Sequence, residues 1–193
     1  RSSIKRVKLV LPALTEATGP YWRPVKYSLF PPLGLATLAA YLDRDLEISL
    51  QDEHVEPLDL DDDPDLVVIQ VYITNAYRAY RIADHYRARG AYVLLGGLHV
   101  TSLPDEAAPH ADTILLGPGE DTFPALLRDF AAGAPLRRYE SPVRSLDMLP
   151  PIRRDCSTTG QPAWRPGTVH RTRRARLLST GWPLTDQRKG ALS

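Results

Sequence analysis

Two short stretches could bring the backbone against a ligand: Gly96-Gly97-Leu98-His99-Val100-Thr101 and Gly117-Pro118-Gly119-Glu120. A glycine has no Cβ, so it lets a bulky group approach the main chain or takes up φ > 0. One such loop is weak evidence, but two, each following an apolar run, suggest a groove for an elongated group. Neither is a nucleotide fingerprint. A dinucleotide site needs G-x-G-x-x-G after the first strand, and a P-loop ends in G-K-[ST]; the absence of both weighs against NAD and ATP. The histidines, His54, His85, His99, His110 and His170, show no metal-ligand spacing, and no G-x-S-x-G elbow motivates a serine triad. Cys156 is the single cysteine, which excludes a disulfide framework and any all-cysteine zinc or iron–sulfur site made from this chain alone. Asp61-Asp62-Asp63 reads as a solvated turn. No catalytic residue and no metal ligand is assigned.

The elements that would position these loops follow from periodicity. Val7–Leu11, Leu46–Leu50, Leu66–Ile73, Tyr92–Leu95 and Thr113–Leu116 are short apolar runs of strand type, and Leu66–Ile73 should be central. Leu33–Leu42, Ala76–Arg89 and Asp121–Phe130 carry apolar residues at helical spacing; Pro31-Pro32 open the first, and Gly90 can end the second. Ser102 is placed to cap a helix beginning at Pro104-Asp105-Glu106. Strands that are nearly uniformly apolar and separated by helices belong to a parallel sheet covered on both faces. The expected fold class is therefore α/β: a doubly wound, flavodoxin-like (Rossmann-like) five-stranded parallel sheet of order 2-1-3-4-5. Such folds bind ligands outside the carboxyl ends of their strands, so both glycine-rich loops lie at the ligand end.

Two other connections share that end. Pro12–Pro31 holds Tyr21, Trp22, Tyr27 and Phe30, which either cover the top of the sheet or meet a flat ligand. Thr74 and Asn75 follow the central strand and either cap the next helix or face the ligand. The pattern fails after about Pro135, which divides the chain into an α/β domain over 1–136, a linker over 137–155 and a basic tail over 156–193 expected to be disordered. From Pro151 onward nine Lys and Arg stand against two Asp and Glu, although the whole chain has a net charge of only +1. The tail's arginines are interleaved with Pro and Gly and have no fold to present them, so nucleic acid is an unfavoured partner. With 43% hydrophobic and 24% charged residues, no run long enough to span a bilayer and no signal-peptide region, a cytoplasmic protein without membrane association is expected.

The motifs Pro31-Pro32-Leu33-Gly34-Leu35, Gly96-Gly97-Leu98-His99-Val100-Thr101 with Pro104-Asp105-Glu106, and Gly117-Pro118-Gly119-Glu120 occur in the order P-P-L-G-L, G-G-x-H-x-T with P-E-E, and G-E-G-E. In this the chain resembles the N-terminal cobalamin (vitamin B12)-binding domain of cobalamin-dependent radical SAM enzymes, over roughly residues 4–150. The resemblance implies cobalamin across the strand ends, with its nucleotide tail between the fourth and fifth loops. Gly96, Gly97, His99, Val100 and Thr101 would lie on one side of the tail and Gly117, Gly119 and Glu120 on the other, while Thr74 and Asn75 would face the lower side of the corrin. Many relatives of this kind are methyltransferases.

Three departures qualify what the resemblance implies. Pro118 replaces the first acid of G-E-G-E, removing a charge and a backbone donor. The D-x-H-x-x-G motif that supplies a cobalt ligand in the methionine-synthase class is missing; Asp52-Glu53-His54 imitates its start after the wrong strand, and Pro57 stands where the motif has Gly. The cofactor would then have no histidine ligand from the chain. The relatives' barrel opens with C-x3-C-x2-C, whose thiolates hold the [4Fe–4S] cluster that binds S-adenosylmethionine, whereas Cys156 stands alone here. Iron–sulfur and S-adenosylmethionine are thus expected only in full-length relatives. This chain is expected to be truncated or frame-shifted before the barrel, inactive alone, and served by a separate radical SAM barrel protein if by any. The competing expectations are a stand-alone carrier or sensor and a scaffold that binds nothing.

Overall fold

The computed structural model describes residues 4–13, 32–54, 56–141 and 149–153. The aromatic connection with Tyr21, Trp22, Tyr27 and Phe30, and the tail over 156–193, lie outside the described residues.

One sheet of order β2-β1-β3-β4-β5-β6 runs through the domain. Its strands are β1 Arg6–Leu11, β2 Glu47–Asp52, β3 Leu66–Gln70, β4 Tyr92–Gly96, β5 Thr113–Leu116 and β6 Arg138–Glu140. Every neighbouring pair is parallel, from Leu9 opposite Leu50 at one edge to Leu115 opposite Tyr139 at the other. The doubly wound α/β class and the order of the first five strands are those expected; the sheet has one strand more. β6 falls in the stretch where periodicity fails, because its only buried side chain is Tyr139. That ring turns inward, its hydroxyl donates to Asp129 at 2.7 Å, and it accepts the Leu136 N–H at 2.9 Å.

Strand alternation sorts the apolar residues into two cores, one on each face. Val7, Leu9, Leu66, Val68, Leu94 and Leu115 pack with α1 (Leu33–Ala39) and α5 (Gly119–Ala131). Val10, Val67, Ile69, Val93, Leu95 and Ile114 pack with α2 (Ala76–Ala88) and with the short helices α3 (Leu98–Ser102) and α4 (Pro104–Ala107). Most of these strand residues are almost completely buried, and each fully buried Val or Leu stabilises the fold by about 1.5–3 kcal/mol before entropy is counted. Ile152 packs on the first core. Arg153 donates to the Ala36 carbonyl through its N–H, and to Leu42 and Asp43 through its guanidinium. It thereby occupies the carbonyl end of α1, where cations are favoured.

Three local expectations are corrected. First, no helix links β2 to β3 among the described residues. The connection is an acidic loop that lies over the second core through Leu58 and Leu60. Second, Asp61-Asp62-Asp63 is more than a solvated turn. Lys8, a strand residue only 1% exposed, reaches Asp62 at 2.6 Å and the Asp59 carbonyl, and lies over the Tyr86 ring. Tyr86 donates to Asp62 at 2.6 Å, and burial followed by this contact pushes its hydroxyl pKa well above the usual tyrosine value. Third, Ser102 does not cap α4. It ends α3, and its hydroxyl donates back to the Leu98 carbonyl. No helix among the described residues is long and apolar enough to cross a membrane.

Candidate functional site

At the carboxyl ends of the strands, the segments after β3, β4 and β5 are tied into one surface. The Val71 N–H donates to the Gly96 carbonyl at 2.8 Å, and the His99 N–H donates to the Val71 carbonyl at 3.2 Å. Thr101 donates its hydroxyl to the Gly97 carbonyl and accepts the Gly117 N–H, both at 3.0 Å. Gly97 has φ 114°, and a Cβ there would stand 2.7 Å from the Val71 carbonyl oxygen. Gly117 has φ 78°, and its Cβ would collide with the Ser141 carbonyl oxygen. Gly119 brings α5 against α1, where a Cβ would meet Leu38 at 3.1 Å. Gly97 and Gly117 thus admit the protein's own backbone, and Gly119 admits its own Leu38 side chain. Gly96 differs, because its φ is ordinary and a Cβ would make only a normal 3.6 Å contact with Leu115.

The remaining residues assigned from sequence divide in the same way. Thr101 is exposed between the β4 and β5 loops, and Glu120 stands half-buried in the first turn of α5. Val100 is completely buried in the second core. His99 is buried, with its ring nitrogen 3.2 Å from Glu106 and its ring tilted over Tyr80. The hydrogen bonds from His99 and then Tyr80 hold the Glu106 carboxyl below its usual pKa. Asn75 is buried and spent at both ends: its carbonyl oxygen accepts the Tyr72 N–H at 2.8 Å, and its amide donates to the Pro12 carbonyl at 2.9 Å. It thus pins the β3 loop to the β1 loop while making no side-chain cap for α2. Thr74 is exposed beside it.

Beyond β2, the Asp52 carboxylate accepts from the His54 main chain and stands 2.9 Å from its Nδ1. Glu53 takes a bidentate grip on Arg78 and accepts the Ala13 N–H. Among the described residues, no three His, Cys, Asp or Glu side chains gather as a metal site.

A feature that sequence reasoning missed is the concentration of exposed apolar side chains at this end. Leu33, Tyr72, Ile73, Tyr77, Leu98 and Leu103 all follow carboxyl strand ends, and among the described residues Leu136 is the one large exposed apolar side chain that does not. Ile73 is 80% exposed and Leu98 70%. Tyr72 and Ile73 were hidden inside an apolar run that looks like strand to its end, whereas β3 stops at Gln70. The signal available was the aromatic and β-branched pair directly before Thr74-Asn75. Two cavities of about 650 and 740 Å³ open at the opposite, amino ends, and around the first of them Arg6, Arg87 and Asp84 are engaged in ion pairs.

Bacteriochlorophyllide d C-8(2)-methyltransferase of Chlorobaculum tepidum is 38% identical over 122 residues, covering 61% of this chain and 27% of that protein. The C-12(1)-methyltransferase of the same organism is 34% identical over 105 residues, covering 53% and 23%. An uncharacterized methyltransferase of Pyrococcus horikoshii is 30% identical over 147 residues, covering 69% and 31%. The chain therefore spans about a quarter to a third of the length of these relatives. The family model for the B12 binding domain matches residues 25–127, more than half of the chain, and the chain belongs to that family.

Proposed function

We propose that this chain binds cobalamin at the carboxyl ends of its strands and serves as the cofactor domain of a methyltransferase-type radical SAM protein. The observation that carries the reading is the exposure of Leu33, Tyr72, Ile73, Tyr77, Leu98 and Leu103, each in a segment that follows a carboxyl strand end, in a chain of the B12-binding-domain family. Solvent-exposed apolar patches of this kind mark sites of ligand or partner contact. The residues also fit the group. Gly96 has no internal need for a glycine and offers bare backbone beside Leu115, while Thr101, Gly117 and Glu120 stand on the adjoining β4 and β5 loops.

Gly96, Gly97, Thr101, Gly117, Gly119 and Glu120 would hold the nucleotide tail; Thr74 and the segment around it would lie beneath the corrin. The cobalt supplies methyl-carrier chemistry when the cofactor is bound. The chain's own part is to hold, orient and shield the ring. In the radical SAM family that the motifs resemble, three thiolates hold the iron–sulfur cluster; Cys156 is a single thiol, so these residues would supply the cobalamin site and not that cluster. The relatives' names make methyl transfer the favoured reaction class.

The test is a titration of the purified chain with hydroxocobalamin, followed by absorbance and calorimetry. Saturable binding, weakened by Ile73→Lys and Leu98→Lys in variants with unchanged circular dichroism, supports the reading. No binding at high micromolar cobalamin overturns it. One observation favours a second reading, a scaffold that keeps the fold without the ligand: Gly97, Gly117 and Gly119 are each accounted for by the chain's own packing. The same titration separates the two.

A further inference from the structure

The strand order reverses between β1 and β3, and ligands of doubly wound sheets sit in the crevice at that switch point. One polar pair stands there. Gln70 ends β3 and donates its Nε2 to the Tyr72 hydroxyl at 2.8 Å. Its amide lies against Gly34 of α1, where a Cβ would come within 3.3 Å of Nε2. Gly34 therefore leaves room for the amide, and the amide holds the phenol. Tyr72 is 41% exposed and is followed by the still more exposed Ile73; its backbone is fixed by the buried Asn75, which also grips the β1 loop.

Because the Tyr72 oxygen accepts from Gln70, its own O–H is left to donate elsewhere. The described ligand end has no imidazole in this crevice. His99 is buried against Glu106 on the other face, and His54 lies beyond the edge strand β2, tied to Asp52.

From this juxtaposition we infer that Tyr72, oriented by Gln70, presents its hydroxyl to the lower face of the corrin, as a hydrogen-bond donor in place of a nitrogen ligand. Gln70 is then a positioning residue and Ile73 an apolar contact beside it. The inference rests on the proposed cobalamin site and deepens it.

The experiment loads the full chain with hydroxocobalamin, reduces it to the cob(II)alamin state, and records absorbance and electron paramagnetic resonance with the dissociation constant. Wild type is expected to show no nitrogen superhyperfine splitting. Tyr72→Phe should shift the cobalt spectrum and weaken binding about two- to tenfold, the worth of one hydrogen bond. Gln70→Glu is the sharper probe. A carboxylate accepts the phenol proton, turns the donor inward, and should reproduce the Tyr72→Phe spectrum with Tyr72 still present. Ile73→Ala should lower affinity and leave the spectrum unchanged. Nitrogen splitting in wild type, or Tyr72→Phe and Gln70→Glu spectra identical to wild type at full loading, overturns the inference while the cobalamin site stands. Failure of wild type to bind overturns both.

Discussion

The Gly117 N–H donates to the Thr101 hydroxyl at 3.0 Å, and that hydroxyl donates in turn to the Gly97 carbonyl. One side chain on a five-residue helix thus closes the β4 loop onto the β5 loop. Thr101→Val keeps the shape and removes both bonds. We expect a loss of about 1 kcal/mol in denaturant melts, together with weaker cobalamin binding in the same titration. Unchanged affinity would show that the link matters to the fold alone.

Glycine substitutions should separate backbone need from ligand access. Gly97→Ala and Gly117→Ala impose φ > 0 on a residue with a Cβ and drive that atom into a neighbouring carbonyl, so each should cost more than about 2 kcal/mol. Gly90, with φ 89° at the end of α2 and open space around it, should cost only about 1 kcal/mol on the same change. Gly96→Ala should leave the melt almost unmoved and weaken cobalamin binding. Chemical denaturation of the four variants, paired with the titration, checks the set.

The Lys8–Asp62 pair has one buried partner, and Asp62 keeps partial access to water. Asp62→Ala leaves the ammonium with the Asp59 carbonyl and the Tyr86 ring, a loss expected toward the lower end of the about 3–5 kcal/mol seen for broken buried pairs. Lys8→Met, which removes the charge but fills the space, should cost clearly less than Lys8→Ala. Urea melts would rank the three. An equal cost for Met and Ala would mean that charge pairing, and not packing, dominates.

Acid stability has a definite sign here. Glu106 is held below its ordinary pKa by His99 and then Tyr80; Asp65 is also held low, because the Arg6 and Lys5 main-chain donors outweigh burial, which acts the other way. Carboxylates with lowered folded pKa values contribute stability above their unfolded values, near pH 4–4.5, and lose it as pH falls through the lower folded values. The melting temperature should therefore drop below about pH 4.5. The drop should be shallower in Glu106→Gln and Asp65→Asn, which start from a lower neutral-pH stability. Thermal melts from pH 7 to pH 3 test this.

The parts of the fold legible in the sequence were those written in apolar runs. β1, β3, β4 and β5 are buried on both faces, and their residues announce it. β6 was illegible because Arg138 and Glu140 face solvent and only Tyr139 is buried, leaving one apolar residue without a period. α3 was hidden because Gly96-Gly97 and Thr101-Ser102 have loop composition; its helix closes on hydrogen bonds from Thr101 and Ser102 back to Gly97 and Leu98. Lys8 carried a usable signal, since a lysine in mid-strand on a covered face calls for a buried partner, but nothing local says that the partner lies over fifty residues away in an acidic loop. At the site, Gly97 and Gly117 have the positive φ that glycine permits, and the group that approaches each of them is a neighbouring segment of the chain.

The stitching of Val71 to Gly96, His99 to Val71 and Gly117 to Thr101 has a further consequence. Three segments that could each wander are already bound to one another before any guest arrives, so their ordering entropy is charged to folding and not to binding. Capture should then be limited by diffusion and desolvation of the apolar rim, with a rate linear in cofactor concentration and no slow closing phase in stopped flow.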